Sequence, residues 1–231
     1  MRILKLIAVL LHYPDTALQR AAPALLERLP LTLQLSDQRQ ARLRPFLQRL
    51  AASDLINLQQ DYVDTFDRGR ACALHLFEHV HGDSRDRGQA MVDLAGMYRQ
   101  AGYEISTAEL PDYLPLFLEF LSTRPTAEAQ RWLDEVGHIL KLLYVRLSDR
   151  QSPYATLFEV LLDTGGIALR PDESATLRAT ADDDGSPAAL DRAWAEEPVT
   201  FGLGSAVCPS LRPQQPPFPV QRPTHRSAAG E

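Results

Sequence analysis

The stretch "ELPDYLPLFLEFLS", Glu109 to Ser122, sets the strongest constraint on how the chain can fold. Pro111 and Pro115 restrict where a helix can begin, because proline is tolerated only in the first helical turn. From Asp112 onward, apolar side chains recur at helical spacing on two faces. One face carries Leu114, Phe117, Leu118 and Leu121, and the other carries Tyr113, Leu116 and Phe120. Such a helix either lies at the centre of a bundle, which is the commoner case, or lines a groove for another apolar element.

Helical apolar spacing also dominates the sequence on both sides of this stretch. The first helix is marked by Ile3, Leu6, Ile7, Leu10 and Leu11. Further helices are predicted over Thr16 to Leu29, from Ser36-Asp37, from Asp54, over Ser84 to Ala101, over Thr126 to Asp149 and over Tyr154 to Leu162. Asp15, Ser36 and Asp54 are suitable N-caps, and Gly102 and Gly165-Gly166 are suitable C-terminal stops. No segment alternates convincingly, so the predicted fold class is all-α, a single-domain helical bundle.

The character of the chain changes after residue 165. Residues 166–231 are acidic and then Pro-rich, with seven prolines from Pro198 onward, a composition that cannot sustain regular structure. We therefore expect a helical domain over residues 1–165 and a largely disordered tail. Within the tail, residues 193–202 ("AWAEEPVTFG") carry the apolar anchors Trp194, Val199 and Phe201 and form a possible docking segment.

The net charge of −6 is concentrated in one segment. Residues 61–120 contain eleven carboxylates, five arginines and no lysine, so this segment holds the whole negative surplus. A partner attracted there should be basic, which disfavours nucleic acid. No apolar run approaches the length of a membrane span, so we expect no membrane insertion. Cys72 and Cys208 match no metal spacing and are expected to be reduced thiols in the cytosol.

The segment "CALHLFEHVHGDSRDRG", from Cys72 to Gly88, holds three histidines. His75 and His79 would share a helical face and His81 follows, which allows a hypothesis of a metal-dependent hydrolase. However, the order His-Leu-Phe-Glu-His is not the metalloprotease motif, and no further cluster completes a ligand set. The alternative is a turn at Gly82 followed by a helix capped by Asp83 or Ser84, and we favour it. We then expect no catalytic residue, small-molecule substrate, metal or cofactor. A third hypothesis is a scaffold that uses the Pro-rich tail.

Several of these stretches together resemble a known family. Residues Leu76 to Ser122, the opening "LLHYPD" from Leu10 and "WAEEPVTFG" from Trp194 resemble the NarJ-type assembly chaperones of respiratory nitrate reductase, within the TorD-like chaperones of molybdoenzymes. The resemblance implies an all-helical, cytoplasmic, non-catalytic protein. It also implies binding to the N-terminal region of the catalytic (alpha) subunit, whose apo-form is held until the molybdenum cofactor is inserted and the complex reaches its membrane anchor.

The resemblance also points to particular residues. Relatives in the wider group carry an acidic residue, Pro, Asp and His or Tyr in the helix that binds the target, and Glu109, Pro111, Asp112 and Tyr113 match this pattern. Tyr113 stands where many relatives have histidine. The hypothesis is that a target helix lies over the second apolar face, meets acidic side chains, and is bordered by the turn from His79 to Arg87. The predicted peptide-binding residues are Glu109, Asp112, Tyr113, Leu116, Glu119, Phe120, His79, His81, Asp83, Arg87 and Tyr98.

Overall fold

A computed structural model describes residues 1–32, 35–80, 86–105 and 109–179. Within these ranges the chain forms ten α-helices: α1 (Arg2–Leu10), α2 (Thr16–Thr32), α3 (Asp37–Ala52), α4 (Leu55–Tyr62), α5 (Asp86–Gln100), α6 (Leu114–Ser122), α7 (Thr126–Glu135), α8 (Gly137–Asp149), α9 (Ala155–Gly165) and α10 (Pro171–Ala179). A π-helical turn follows α4 at Val63–Asp67, and 3-10 turns occupy Arg70–Cys72 and Leu76–Glu78. The all-α prediction is confirmed, since β pairing in the described ranges is limited to one bridge between His75 and Tyr113.

Three of the predicted N-caps begin helices as expected. The Asp15 carboxylate accepts a hydrogen bond from the Leu18 backbone N–H at 2.7 Å. The Asp54 carboxylate accepts one from the Ile56 N–H at 2.9 Å, and the Ser36 hydroxyl accepts one from the first turn of α3 at 3.4 Å. Each cap satisfies a backbone donor that has no partner within its helix, a contribution of about 1 kcal/mol. The starts of α2, α3 and α4 are therefore encoded locally.

Helix α6 lies at the centre of the bundle. All five residues from Leu114 to Leu118 are buried, and so are Phe120 and Leu121. Helix α1 packs along one side of α6, and α7 contacts it as well. On the other face, the Tyr98 ring of α5 lies 4.6 Å from the Phe120 ring, measured between centroids. Both apolar faces of α6 are thus covered, as the central-helix interpretation predicts, and the structure shows no open apolar groove above the described part of α6.

The helix predicted from Thr126 to Asp149 is two helices in the structure. Helix α7 ends at Glu135 and α8 begins at Gly137, with Val136 between them at φ −88° and ψ 3°. A Cβ at Gly137 would lie 3.3 Å from the Ile167 side chain, so the break places a glycine where another segment approaches closely. The apolar spacing runs on across the break, which is why the sequence alone predicts one long helix.

Helix α10 was not expected, because the composition of residues 170–193 predicts no helix. It packs against α8 and is joined to it by two ion pairs. The Glu173 carboxylate lies 2.9 Å from the Lys141 ammonium, and the Arg178 guanidinium lies 2.9 Å from the Asp149 carboxylate. The docking segment 193–202 and the Pro-rich tail lie outside the described residues, and the domain boundary at residue 165 stays a prediction. No helix in the part of the chain that the structure describes has the length and apolarity to cross a bilayer.

Helix α9 ends at Gly166 in the left-handed conformation, with φ 65° and ψ 20°. A Cβ there would make only an ordinary contact, at 3.6 Å from the Gln130 side chain. We therefore expect Gly166→Ala to lower the free energy of unfolding by about 1 kcal/mol through backbone strain alone. Gly96, within α5, has nothing within 4 Å of such a Cβ. Gly96→Ala should raise the free energy of unfolding by about 0.5–1 kcal/mol. Urea unfolding of both variants measures these changes. If the free energy of unfolding changed in the same direction in both variants, the prediction would be wrong.

Candidate functional site

The bridge between His75 and Tyr113 ties the segment before α5 to the start of α6. The Leu114 N–H donates to the Leu74 carbonyl at 2.8 Å, and the Leu76 N–H donates to the Asp112 carbonyl at 3.0 Å. Two hydrogen bonds of this kind hold otherwise irregular backbone in one register. Because His75 is extended here, with φ −93° and ψ 110°, it cannot lie on a helix with His79. This corrects the predicted shared helical face.

The Asp112 carboxylate lies beneath this bridge and is fully buried. One of its oxygens lies 3.3 Å from Nδ1 of His75, and the other accepts a hydrogen bond from the Phe77 N–H at 3.1 Å. A buried carboxylate is costly unless it is paired and hydrogen-bonded, and both conditions are met. Asp112 therefore holds the 75–77 backbone and cannot meet a partner's basic side chain in this conformation.

The two described histidines of the cluster differ in charge behaviour. The hydrogen bond to Asp112 raises the pKa of His75, burial opposes this, and the carboxylates of Asp112 and Glu78 raise it further. Burial lowers the pKa of His79, whose Nε2 donates to the Ala73 carbonyl at 2.8 Å. His75 is therefore biased towards the imidazolium form and His79 towards the neutral form.

Tyr113 is half-buried and lies among other rings at the edge of the bundle. Its hydroxyl is 3.2 Å from that of Tyr62, which donates to the Leu11 carbonyl at 3.1 Å. The Tyr113 ring centroid lies 5.9 Å from that of His12 and 5.5 Å from that of His75. These contacts fix the Tyr113 ring between the end of α1 and the bridge, with part of its surface open to solvent.

Two carboxylates act electrostatically on the Tyr113 hydroxyl. Burial raises the pKa of Tyr113, and the negative charges of Glu109 and Asp67 raise it further. Burial likewise raises the pKa of Asp67, while the charge of His75 lowers it. Both acidic residues are exposed. We name the surface formed by His12, Tyr13, Asp67, His75, Glu109 and Tyr113 the bridge patch; Tyr13 joins it through Tyr62, at a ring distance of 5.5 Å.

The remaining predicted site residues are placed around and below this patch. The Tyr98 hydroxyl donates to the Pro111 carbonyl at 2.9 Å, so this buried tyrosine fixes the approach to α6. Arg87 lies in the first turn of α5, where the helix dipole disfavours a cation, and it pairs with the Glu78 carboxylate at 3.3 Å. Glu119 lies at the surface and pairs with Lys5 at 3.4 Å.

Two of the apolar residues predicted to bind the peptide lie in the interior. Leu116 and Phe120 are buried, so they do not form an open floor in this conformation. His81 and Asp83, with Gly82 of the predicted turn, lie outside the described residues. The structure thus brings Glu109 and Tyr113 together in the bridge patch, with Asp112 directly beneath them. A direct role in binding for any of the predicted residues stays a prediction.

The metal hypothesis is not supported by the geometry. Nδ1 of His75 faces Asp112, and Nε2 of His79 donates to a backbone carbonyl. Among the described residues, no group of three or more His, Cys, Asp or Glu side chains is arranged to hold a metal ion. The two described histidines of the cluster are explained by their hydrogen bonds within the fold.

Sequence reasoning missed three residues of this region, namely His12, Tyr62 and Asp67. Tyr62 lies on the buried face of α4, and its hydroxyl contact with Tyr113 joins positions far apart in sequence. His12 lies within "LLHYPD", a motif already singled out by the family resemblance. That motif was the available signal, and only the tertiary structure connects it to the bridge.

Comparisons with known proteins agree with this fold. A crystal structure of a protein from Archaeoglobus fulgidus, described as a redox enzyme maturation protein, is similar with a TM-score of 0.51 and 25% identity, covering 71% of this chain and 92% of that one. The two chains therefore share one fold.

The sequence comparisons are more specific. Residues 15–159 match the family model "Nitrate reductase delta subunit", and the chain belongs to this family. It is 44% identical over 198 residues to NarJ of Escherichia coli K12, a nitrate reductase molybdenum cofactor assembly chaperone, covering 86% of this chain and 84% of NarJ. It is 42% identical over 205 residues to NarW of the same strain, named as a probable chaperone of the same kind, with 87% and 84% covered.

The buried position of Asp112 makes its charge important for stability. Asp112→Asn keeps the size of the side chain but removes the charged partner of His75 and of the Phe77 N–H. We expect the free energy of unfolding to fall by about 1.5–3 kcal/mol, the range for hydrogen bonds to charged groups. Asp64 is exposed and paired with Arg68 four residues on, so Asp64→Asn should cost less than about 0.5 kcal/mol. Urea unfolding compares the two, and similar costs would contradict the role of Asp112.

The pairing of His75 with Asp112 also predicts a pH dependence. The folded-state pKa of His75 is raised above its unfolded value of about 6.5, so its stabilising contribution is fully present below that pH and is lost as the pH rises through the raised pKa. The stability advantage of the wild type over His75→Gln should therefore be larger at about pH 5.5 than at about pH 9. His79, whose pKa is lowered, destabilises the fold as the pH falls, but it does so in both proteins. Urea unfolding at the two pH values tests this, and an advantage that grows with pH would refute it.

Proposed function

We propose that this chain is a system-specific assembly chaperone for respiratory nitrate reductase. It binds the N-terminal region of the catalytic (alpha) subunit in the cytoplasm. It holds the apo-enzyme while the molybdenum cofactor is inserted and before the complex reaches its membrane anchor, and it carries out no catalytic step itself. Support comes from family membership and from relatives named for nitrate reductase molybdenum cofactor assembly, matched over 84% of their length.

One structural observation supports a recognition role for the bridge patch. Tyr113 is partly exposed, and the exposed carboxylates of Glu109 and Asp67 are near enough to raise its pKa. An aromatic surface flanked by carboxylates suits the apolar face and the basic side chains of an amphipathic helix. Exposed Tyr13 and Leu110, with 48% and 45% of their surface accessible, extend the apolar area available to such a helix.

The residues beneath the patch have a positioning role in this proposal. Asp112 holds His75 and the backbone of Phe77, and the Tyr62 hydroxyl holds Tyr113 from below. A rigid surface loses less conformational entropy when a partner binds. We therefore assign direct contact to Glu109 and Tyr113, and support to Asp112, in place of the direct peptide binding predicted for Asp112.

The patch is tested by charge reversal. We expect Asp67→Lys combined with Glu109→Lys to weaken binding of a labelled peptide from the N-terminus of the catalytic subunit by about tenfold at low salt. The difference should shrink at about 0.5 M salt, because exposed charges are screened. Glu135, at the exposed end of α7, lies outside the patch and supplies the control Glu135→Lys. Fluorescence anisotropy measures the three affinities, and an unchanged affinity in the double variant would show that the patch is not the binding surface.

The chaperone function is tested separately by a pull-down from cells that make apo-nitrate reductase. We expect the full chain to retain the catalytic subunit, and to lose it when the N-terminal segment of that subunit is deleted. Binding that survives the deletion would contradict the proposed contact region. If the intact apo-subunit is not retained at all, the chaperone function itself is refuted.

A further inference from the structure

A cleft of about 370 Å³ opens between α1 and α2, and none of its lining residues belongs to the bridge patch. Its apolar lining comes from Leu6 and Val9 of α1 and from Leu25 and Leu29 of α2. Leu6 and Leu29 are buried, whereas Val9 has 38% of its surface exposed at the edge. The cleft therefore combines a packed apolar floor with an accessible apolar edge.

The rim of this cleft is basic. Arg2 and Lys5 on α1 and Arg28 on α2 line it, and all three are exposed. Residues 1–35 carry four cationic side chains and two carboxylates, within a chain whose net charge is −6. The cleft thus has the opposite sign to the acidic segment that contains most of the bridge patch.

One ion pair at this rim joins Lys5 to Glu119, and it is solvent-exposed. Glu119 lies 3.4 Å from Lys5, and the two side chains are 40% and 62% exposed. Exposed pairs of this kind contribute between about 0 and 1 kcal/mol, so Lys5 can exchange Glu119 for a carboxylate of a bound partner.

We propose that the α1–α2 cleft is a docking site for an amphipathic helix of a partner protein that carries carboxylates beside its apolar side chains. The charge complementarity is set by Arg2, Lys5 and Arg28, and the apolar contact is set by Val9 and the leucines of the floor. The concave shape favours a helix, whose side chains can enter the space between α1 and α2, over a flat lipid surface. The site does not depend on the proposed nitrate reductase partner. It favours an acidic helix, whereas the bridge patch favours a basic one.

The test uses the full chain and two labelled helical peptides that share a leucine stripe. One peptide carries glutamate beside the stripe and the other carries lysine at the same positions. We expect the glutamate peptide to bind at least about tenfold more tightly at low salt, with the difference reduced at about 0.5 M salt. Val9→Asp should weaken its binding by about tenfold or more, because it places a carboxylate at the apolar edge. Arg28→Glu should weaken it by about fivefold.

Arg20→Glu is the matched control for Arg28→Glu. Arg20 is exposed on the same helix but does not line the cleft, so its reversal should change the affinity by less than about twofold. Circular dichroism verifies that each variant keeps its helical content. A Val9→Asp variant that does not fold is replaced by Val9→Ser, which should weaken the apolar contact without adding a charge.

Three results would overturn the proposal. The first is equal affinity for the two peptides, or an affinity that Val9 and Arg28 substitutions leave unchanged. The second is sedimentation with vesicles of anionic phospholipid that depends on Arg2 and Arg28, without peptide binding, which would assign the cleft to a membrane surface. The third is a dimer in light scattering that Val9→Asp dissociates, which would assign the cleft to a second copy of the chain. The Val9→Asp variant should still bind the nitrate reductase peptide, so failure of this proposal is distinct from failure of the proposed function.

Discussion

The described structure depends on one buried charge, the Asp112 carboxylate. It must have partners because an unpaired carboxylate in the interior costs several kcal/mol. His75 and the Phe77 N–H supply them, and the backbone carbonyl of the same aspartate accepts from the Leu76 N–H. One residue therefore holds a non-helical segment in place against the start of the central helix.

The contacts of Asp112 also hold the bridge patch in place. Tyr113 follows Asp112 directly and pairs with His75 in the bridge, so the ring is held at the rim of the bundle. Its hydroxyl contact with Tyr62 links it to α4, and through the Leu11 carbonyl to the end of α1. Three distant parts of the chain thus meet at one half-exposed aromatic side chain, and such a surface is well suited to recognising another protein's helix.

The distribution of charge gives the molecule two unlike surfaces. Most of the bridge patch belongs to the acidic segment between residues 61 and 120, whereas the α1–α2 cleft has a basic rim. Electrostatic complementarity acts mainly on specificity and on association rates. The acidic bridge patch disfavours an acidic partner, and the basic cleft disfavours a basic one. Separating the two charges on different surfaces allows one protein to discriminate between two different partner segments.

The sequence by itself determined the features that depend on near neighbours. Capping side chains at Asp15, Ser36 and Asp54 encode helix starts, Gly166 encodes a helix end, and the two apolar faces of Glu109 to Ser122 predict a central helix. The family resemblance was likewise present in contiguous motifs. Only the tertiary structure decided that both faces of α6 are covered, that the bridge joins His75 to Tyr113, and that Asp112 lies inside while Glu109 remains at the surface. These features arise from contacts between positions that are distant in the chain, and periodicity carries no information about which distant element supplies the partner.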